Sequence, residues 1–382
     1  LHPRVRRQRQ MCIRDRKKSF GTLQVLKGIN LSTAGRLLGL VDTPERFFEL
    51  SESQLRMLTG LDSKATDDTQ RARLLQLADK ESDFVRTKSI TTMFCGDSNY
   101  PARLSDCDDA PAMLYACGDR EALDRPQSVA VVGTRHATPY GLDFTSRLVA
   151  DLAEALDRPL IVSGLAYGID IAAHRAALDA GTPTVAVVAH GLNTIYPAEH
   201  RQTAAKIVSS GGALVTEYTS SSPIHRSNFL ARNRIVAALA DVTVVVESDV
   251  RGGAMSTARI ASAYNREVMA LPGRTIDTYS RGCNELIAKE TARIIRSADD
   301  LINLMGWMPR KRSNPQKEIV FELTDEQSRI IDFITSHPEA TVNDMCAALH
   351  TPYSVLSAML FEMEMSNLIM TLPGGHFAAI AR

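Results

Sequence analysis

The sequence has little of what marks membrane-spanning, secreted or zinc-binding proteins. It contains no run of about 18 apolar residues, which predicts no membrane span, and its beginning shows no apolar stretch of the signal-peptide kind. The six cysteines are scattered and none forms a C-x-x-C pair, so neither a zinc ribbon nor a disulfide framework is expected. We therefore expect a cytoplasmic protein without a metal site or a cofactor.

The chain also has no net charge, because 44 Lys and Arg residues balance 44 Asp and Glu residues. The distribution is uneven: residues 1–18 hold eight basic residues and one acidic residue, and the other 364 residues carry a net charge of −7. A nucleic-acid interface therefore has to be a local patch on an acidic body. Residues 1–18 are either a disordered arm that touches phosphates or, as we favour, foreign or dispensable sequence.

The rest of the chain divides into four segments. Residues 19–90 show short helical stretches and a longer connecting helix, which resembles a SAM-like or helix-hairpin-helix module that could hold a phosphate or simply pack. Residues 91–306 are the main domain, and residues 307–320 are a polar, proline-containing linker. Residues 321–382 show three helices and a two-stranded tip, which predicts a winged helix.

From Ser128 onward, short apolar runs alternate with amphipathic helical stretches. Runs that are apolar throughout predict strands buried on both faces, hence a mostly parallel sheet covered by helices. This is the Rossmann-like, doubly wound α/β class. Strands are predicted at residues 129–132, 160–162, 184–188, 213–216, 242–246, 268–271 and 293–295. Helices are predicted near residues 141–156, 169–180, 198–209, 228–239, 256–264 and 284–289.

Three glycine-containing loops follow predicted strands, where the carboxyl ends of parallel strands form a ligand crevice. Helix N-termini at such loops offer free amides to phosphate, and glycine permits a close approach. An arginine can clamp phosphate with two hydrogen bonds. We therefore predict phosphate binding by these loops, whose residues are Gly133, Thr134 and Arg135, then Ser163 and Gly164, and finally Arg251, Gly252 and Gly253.

A fourth polar segment begins another predicted helix. Its arginines and amides crowd the helix start, which favours a contact surface over an ordinary solvated face, although some of these side chains could instead be buried partners of Asp241 or Glu217. The predicted contact residues are Arg226, Asn228, Arg232, Asn233 and Arg234.

Other functions are less well supported by the pattern. No G-x-G-x-x-G turn follows the first strand and no G-K-[ST] loop occurs, which argues against dinucleotide and P-loop sites. Asp170 and His174, four residues apart, could share a proton, but we expect this pair to be structural. A nucleotide-processing enzyme of the phosphoribohydrolase kind is the alternative. A duplex-DNA regulator is disfavoured because residues 352–366 hold Glu362 and Glu364 but no Lys or Arg.

Several ordered segments resemble the DprA/Smf family of DNA-processing proteins across about residues 90–306. They include VAVVGTRHATPYG, IVSGLAYGIDIAAHRAAL, GLNTIYPAEHR, NFLARNRIVAAL and VVVESDVRGGAMSTARIA. The resemblance implies that the loop and helix residues named above line a groove for single-stranded DNA, with Tyr196 as a base-stacking platform. Many family members have Lys-Ser-Gly where this chain has Arg251-Gly252-Gly253, so a hydroxyl is lost there.

The resemblance also implies a role rather than a reaction. It implies a non-enzymatic, sequence-nonspecific binder of single-stranded DNA that protects incoming DNA and helps to load the RecA recombinase in natural transformation. The expected partners are therefore single-stranded DNA, RecA and a second copy of this chain.

Overall fold

The computed structural model describes residues 49–59, 68–310, 324–337, 340–366, 368–372 and 376–379. The chain divides into two compact units, up to residue 311 and from residue 312 onward. The basic residues 1–18 and most of the predicted amino-terminal module lie outside the described residues. From that module, helix α1 (Glu52–Thr59) and the connecting helix α2 (Asp68–Thr87) are described. The predicted domain boundaries remain predictions.

The first unit is built on a mixed sheet with the order β1-β2-β6-β5-β4-β3-β7-β8-β9. Strands β3 to β9 are parallel to one another, whereas β2 pairs antiparallel with both β1 and β6. The predicted doubly wound, mostly parallel sheet is confirmed, and β1 and β2 extend it beyond the predicted strands. The strands are β1 (Thr91–Phe94), β2 (Met113–Gly118), β3 (Ser128–Val132), β4 (Leu160–Ser163), β5 (Thr184–Val187), β6 (Ala213–Thr216), β7 (Val242–Val245), β8 (Glu267–Ala270) and β9 (Arg293–Ile294).

Helices cover both faces of this sheet because its central strands are apolar on both faces. In β3, Val129 and Val131 pack into one core and Ala130 and Val132 into the core on the opposite face. The first of these cores contains α4, α5 and α10, and the second contains α7 and α8. The helices are α3 (Ala102–Ser105), α4 (Pro139–Ala155), α5 (Ile169–Asp179), α6 (Arg201–Ser209), α7 (Arg226–Ala238), α8 (Gly253–Ala263), α9 (Arg281–Ala288) and α10 (Ala298–Met305).

The chain reverses its direction of travel across the sheet at β3. From β3 it proceeds through β4, β5 and β6 on one side, and β7 then returns to the other side of β3. In a doubly wound sheet this reversal opens a crevice outside the carboxyl ends of the two strands. The loops after β3 and β7 therefore diverge at the place where a ligand is expected.

The second unit is a winged helix, as predicted. Its three helices are α11 (Asp325–Ser336), α12 (Val342–Leu349) and α13 (Tyr353–Met365). They are followed by the antiparallel pair β10 (Ile369–Leu372) and β11 (His376–Ala379). Helices α11 and α12 each begin with a capping box, at Thr324 and Thr341. Across the described parts of both units, no helix is long and apolar enough to cross a membrane.

Candidate nucleic-acid interface

A cleft of about 1000 Å³ opens beside the carboxyl ends of β3, β4 and β7. The loops after these strands and the first turns of α7 and α8 form its walls. The structure thus brings most of the predicted contact residues to one place, although they are spread over 120 positions of the chain. Those that line the cleft are Gly133, Thr134, Arg135, Gly164, Tyr196, Arg226, Arg232, Asn233, Arg251, Gly252 and Gly253.

Four exposed arginines give the cleft its charge. Arg135, Arg226, Arg251 and Arg259 all line it, and none has a carboxylate oxygen of the described residues within 4.0 Å. Of the acidic residues in the lining, Asp170 is buried and Asp249 is paired with Arg281 at 3.4 Å. The cleft therefore has an excess of unpaired positive charge, which suits a polyanion.

Arg232 lies in the floor of the cleft rather than on its surface. The side chain is only 4% exposed, and its Nη1 donates to the Val187 carbonyl at 2.8 Å. Burial lowers the pKa of Arg232, and the nearby Asp170 carboxylate opposes this effect. Arg232 is thus held inside the protein and contributes a buried charge beneath the cleft, and its direct contact with a phosphate stays a prediction.

Three further predicted contact residues lie outside the cleft because their polar atoms are used within the protein. The hydroxyl of Ser163 is fully buried and donates to the Val131 carbonyl at 2.7 Å. Arg234 is paired with Glu217 at 2.5 Å, one of the two buried partners anticipated from the sequence. The Nδ2 of Asn228 donates to the Pro223 carbonyl at 3.0 Å. None of the three lines the cleft, and their contact with DNA stays a prediction.

Glycine occurs at different positions of the cleft for different physical reasons. A Cβ on Gly133 would lie 2.5 Å from the Cγ1 of Ile169, and a Cβ on Gly164 would lie 1.7 Å from the Nη1 of Arg232. These two residues are small because the protein itself packs against them. Gly253, the first residue of α8, has no atom within 4 Å of such a Cβ. Only this open space matches the expected close approach of a ligand to backbone amides.

Buried carboxylates hold the loops of the cleft in place. Glu247, at the end of β7, accepts hydrogen bonds from the Thr138 amide at 2.9 Å and the Thr138 hydroxyl at 2.5 Å. Its backbone carbonyl also accepts the Thr134 amide at 2.6 Å. Thr134 and Thr138 flank Arg135, so Glu247 fixes the loop that presents this arginine.

Asp170 and His174 do not form the pair expected from their spacing. Asp170 accepts the Ala166 amide at 3.4 Å, and burial raises its pKa. His174 is instead hydrogen-bonded to Thr184 at 2.7 Å, and burial lowers the pKa of its ring to about 3. His174 does not line the cleft. No group of three or more His, Cys, Asp or Glu that could hold a metal occurs in the part of the chain that the structure describes.

Aromatic rings lie at two places in the cleft. Tyr196 is 45% exposed and contacts Phe229 edge-on, with ring centroids 5.7 Å apart. The guanidinium of Arg135 lies 5.6 Å from the Phe229 ring centroid. His136 and Tyr279 form a stacked pair. Sequence reasoning singled out Tyr196 alone, although Phe229 stands within the arginine-rich segment and could have been found there.

Comparison with known protein families agrees with this geometry. Residues 91–306 match the family described as DNA recombination-mediator protein A, and residues 314–375 match the DprA winged helix domain. Protein Smf of Escherichia coli is 34% identical over 285 residues, which are 72% of this chain and 74% of that protein. A putative DNA processing protein DprA of Mycobacterium tuberculosis is 39% identical over 256 residues. The match covers 66% of this chain and 64% of that relative, a little under two thirds of its length.

Two solved structures share the architecture. DNA processing protein A from Streptococcus pneumoniae superposes with a TM-score of 0.61 and 29% identity, over 76% of this chain and 96% of that chain. DNA processing protein A from Helicobacter pylori superposes with a TM-score of 0.51 and 34% identity, over 56% of this chain and 95% of that chain. The Helicobacter structure is described as revealing a single-stranded DNA binding mode.

Proposed function

Because the chain belongs to the DNA recombination-mediator protein A (DprA/Smf) family, we propose that it binds single-stranded DNA in the cleft at the carboxyl ends of its parallel strands. The observation that carries the proposal is the set of unpaired, exposed arginines around the first turn of α8. The Helicobacter relative, described by its single-stranded DNA binding mode, supports the same ligand class.

Phosphates occupy the region between Arg135 and the start of α8. Arg135 and Arg251 approach from two loops, and Gly253 leaves open space above amides that have no partner within the helix. Asn233 donates to the Gly253 carbonyl at 3.4 Å and so ties α7 to α8 beneath this position. The guanidinium groups have no competing carboxylate among the described residues, so each is free to pair with a phosphate.

Bases stack on the rings of Tyr196 and Phe229. Stacking contributes about 1–3 kcal/mol for each base and tolerates any sequence, because every base has a π face. Contacts with phosphates carry no sequence information either. Binding is therefore expected to depend strongly on salt and weakly on sequence.

The test is fluorescence anisotropy of a labelled single strand and of its duplex across a salt series, with and without residues 1–18. Tight binding of the single strand that survives removal of residues 1–18 is expected. Arg135→Ala should weaken it on every sequence, and Arg175→Ala, an exposed arginine of α5 outside the cleft, should not. Equal binding of duplex, or loss of binding with residues 1–18, would contradict the proposal and direct the search to nucleotides as substrates.

We extend the proposal to the role that family membership suggests. The protein, as a homodimer without enzymatic activity, protects incoming single-stranded DNA and helps to load the RecA recombinase in natural transformation. A strand-exchange assay with RecA tests this role: wild type should shorten the lag, and the Arg135→Ala variant should do so less.

A further inference from the structure

The stacked pair of His136 and Tyr279 is far from the Tyr196–Phe229 pair along the sheet. Tyr196 follows β5 and Tyr279 follows β8, with β4, β3 and β7 between these strands. At about 4.8 Å for each strand interval, the two strands are roughly 19 Å apart. The two aromatic pairs therefore belong to loops that leave the sheet at well-separated strands. Arg135 contacts Phe229 and immediately precedes His136, so a phosphate on Arg135 lies between them.

The backbones that carry the second pair are tied to neighbouring loops. The Tyr279 carbonyl accepts the Ser248 amide at 2.6 Å, which ties it to the loop after β7. The His136 amide donates to the Thr134 hydroxyl at 3.1 Å, which ties it to the loop after β3. The ring centroids are 6.0 Å apart and the ring planes differ by 24°. Two nearly parallel rings therefore stand in the lining of the cleft on loops whose backbones are hydrogen-bonded to neighbouring loops.

We propose that His136 and Tyr279 form a second base-stacking platform, which accepts a nucleobase on the opposite side of the Arg135-bound phosphate from Tyr196 and Phe229. The inference rests on the proposed function and deepens it, because it assigns two separate base positions to one bound strand. A base that stacks on a ring face is held by its π surface rather than by its edge, so the platform accepts any base, and purines present the larger face.

The experiment is a double-mutant cycle between protein and oligonucleotide, read as equilibrium affinity. A single abasic position is moved along a short labelled strand, and each strand is titrated with wild type and with Tyr279→Leu. For the intact strand, Tyr279→Leu should weaken binding at least about fivefold. At one abasic position the variant should cause no further loss, because the base that stacks on Tyr279 is already missing. Phe229→Leu should likewise cause no further loss of affinity at one abasic position, but at a different one.

Two further variants distinguish the loss of the aromatic ring from a general disturbance of the fold. Tyr279→Phe keeps the ring and should keep wild-type affinity and the same positional pattern. Tyr167→Leu removes an exposed tyrosine that lies outside the cleft and donates to Glu199, and it should leave affinity unchanged. Thermal melting verifies that each variant is folded.

The outcomes separate this inference from the proposed function. Absence of single-strand binding by wild type contradicts the proposed function, and this inference with it. Binding by wild type in which Tyr279→Leu costs the same factor at every abasic position, or costs nothing, overturns the second platform and leaves the proposed function standing. The second platform is also overturned if Tyr279→Leu and Phe229→Leu both cause no further loss of affinity at the same abasic position, because the two pairs would then hold one base.

Discussion

Gly164 and Gly253 have opposite surroundings at the same cleft. A side chain at Gly164 would collide with the buried guanidinium of Arg232, whereas a side chain at Gly253 would enter open space. Glycine is required at the first position by the packing of the protein and at the second, on the proposed function, by the ligand. Substitution with alanine distinguishes these two requirements.

Gly164→Ala should destabilise the fold by roughly 1–3 kcal/mol, the cost of overpacking a filled site. Gly253→Ala should leave stability unchanged or slightly raised, since alanine is the better helix former, but should lower the affinity for single-stranded DNA. Urea unfolding and anisotropy measured on both variants test the pair. Normal DNA binding by Gly253→Ala would argue against close contact at α8.

Arg232 and Arg226 allow a second comparison, of a buried arginine with an exposed one, in which stability and DNA affinity should respond oppositely. Arg232→Met removes a buried cation that faces the buried Asp170, and we expect a loss of about 3 kcal/mol. Arg226→Met changes an exposed side chain, and stability should move by less than about 0.5 kcal/mol. DNA affinity of the folded protein should fall for Arg226→Met, as measured by titration in native buffer. If Arg232→Met is as stable as wild type, the placement of Arg232 as a buried cation beneath the cleft is contradicted.

Residues such as Arg135 and Arg251 could be placed from the sequence because they directly follow strands that end at one edge of the sheet. The burial of the Ser163 hydroxyl could not be foreseen, since its hydrogen-bond acceptor, Val131, belongs to another strand. His136 and Tyr279 were missed for a related reason. They are 143 positions apart, and only the order of strands brings the two rings together.

At the scale of elements, the buried carboxylate of Glu81 ties α2 to the segment between β6 and α7. Both oxygens of Glu81 accept the Ser220 amide, at 3.0 and 2.9 Å. Ser220 in turn packs on Gly191, where an added Cβ would lie 2.7 Å from the Ser220 Cα. The segments around Ser220 and Gly191 lead to Arg226 and Tyr196, so α2 supports two contact residues that it does not touch.

Burial raises the pKa of Glu81 above its ordinary value of 4.5, against the opposing hydrogen bonds from Ser220. The folded state then holds the proton more tightly than the unfolded chain. The contribution of Glu81 to stability is therefore full below the unfolded pKa and is lost as pH rises through the folded pKa. Glu81→Gln should consequently gain stability relative to wild type as pH rises above 4.5 and through the raised folded pKa of Glu81, measured by urea unfolding.

Asp300 provides a control of opposite sign for this pH series. Its pKa is lowered by a hydrogen bond from Arg296, so wild type loses this contribution as pH falls. Relative to wild type, Asp300→Asn should therefore gain stability toward low pH. A difference between Glu81→Gln and wild type that is constant with pH would show that Glu81 does not titrate differently in the folded state.

The parallel strands could be predicted because each is a short run that is apolar throughout, bounded by glycine or polar residues. Strands β1 and β2 were not predicted. They are separated by 18 residues that contain only the short helix α3, and the strand that joins them to the rest of the sheet, β6, lies far along the chain. The winged helix was predicted because its three helices and two strands follow one another within about 60 residues, and the structure shows that two of these helices begin with caps, at Thr324 and Thr341.

For the whole molecule, the net charge is a poor guide to where a polyanion binds. The residues after position 18 carry a net charge of −7, yet the exposed arginines of the cleft have no carboxylate partner among the described residues. Attraction to DNA should therefore be short-ranged and confined to the cleft, since charges more than about 8 Å apart are screened at physiological salt.

The salt dependence of the affinity for DNA should report how many of these arginines contact a phosphate. If Arg135, Arg226, Arg251 and Arg259 each neutralise one phosphate, the logarithm of affinity should fall with the logarithm of salt concentration with a slope of about −3. Each Arg→Gln substitution should reduce the slope by about 0.7. Anisotropy titrations of protein without residues 1–18 provide the measurement. A slope that stays the same in all four variants would place the phosphates elsewhere.

The antiparallel attachment of β2 to β6 also matters while the chain is being made. Tyr115 of β2 is paired with Thr216 of β6, which follows it by 101 residues. At about 5–20 residues per second, the ribosome exposes β2 for roughly 5–20 seconds before its partner strand exists. Throughout that time the β1–β2 hairpin has one unpaired apolar edge, a template on which a neighbouring nascent chain can pair. We therefore expect newly synthesised protein to depend on chaperones most strongly until residue 216 has left the ribosome.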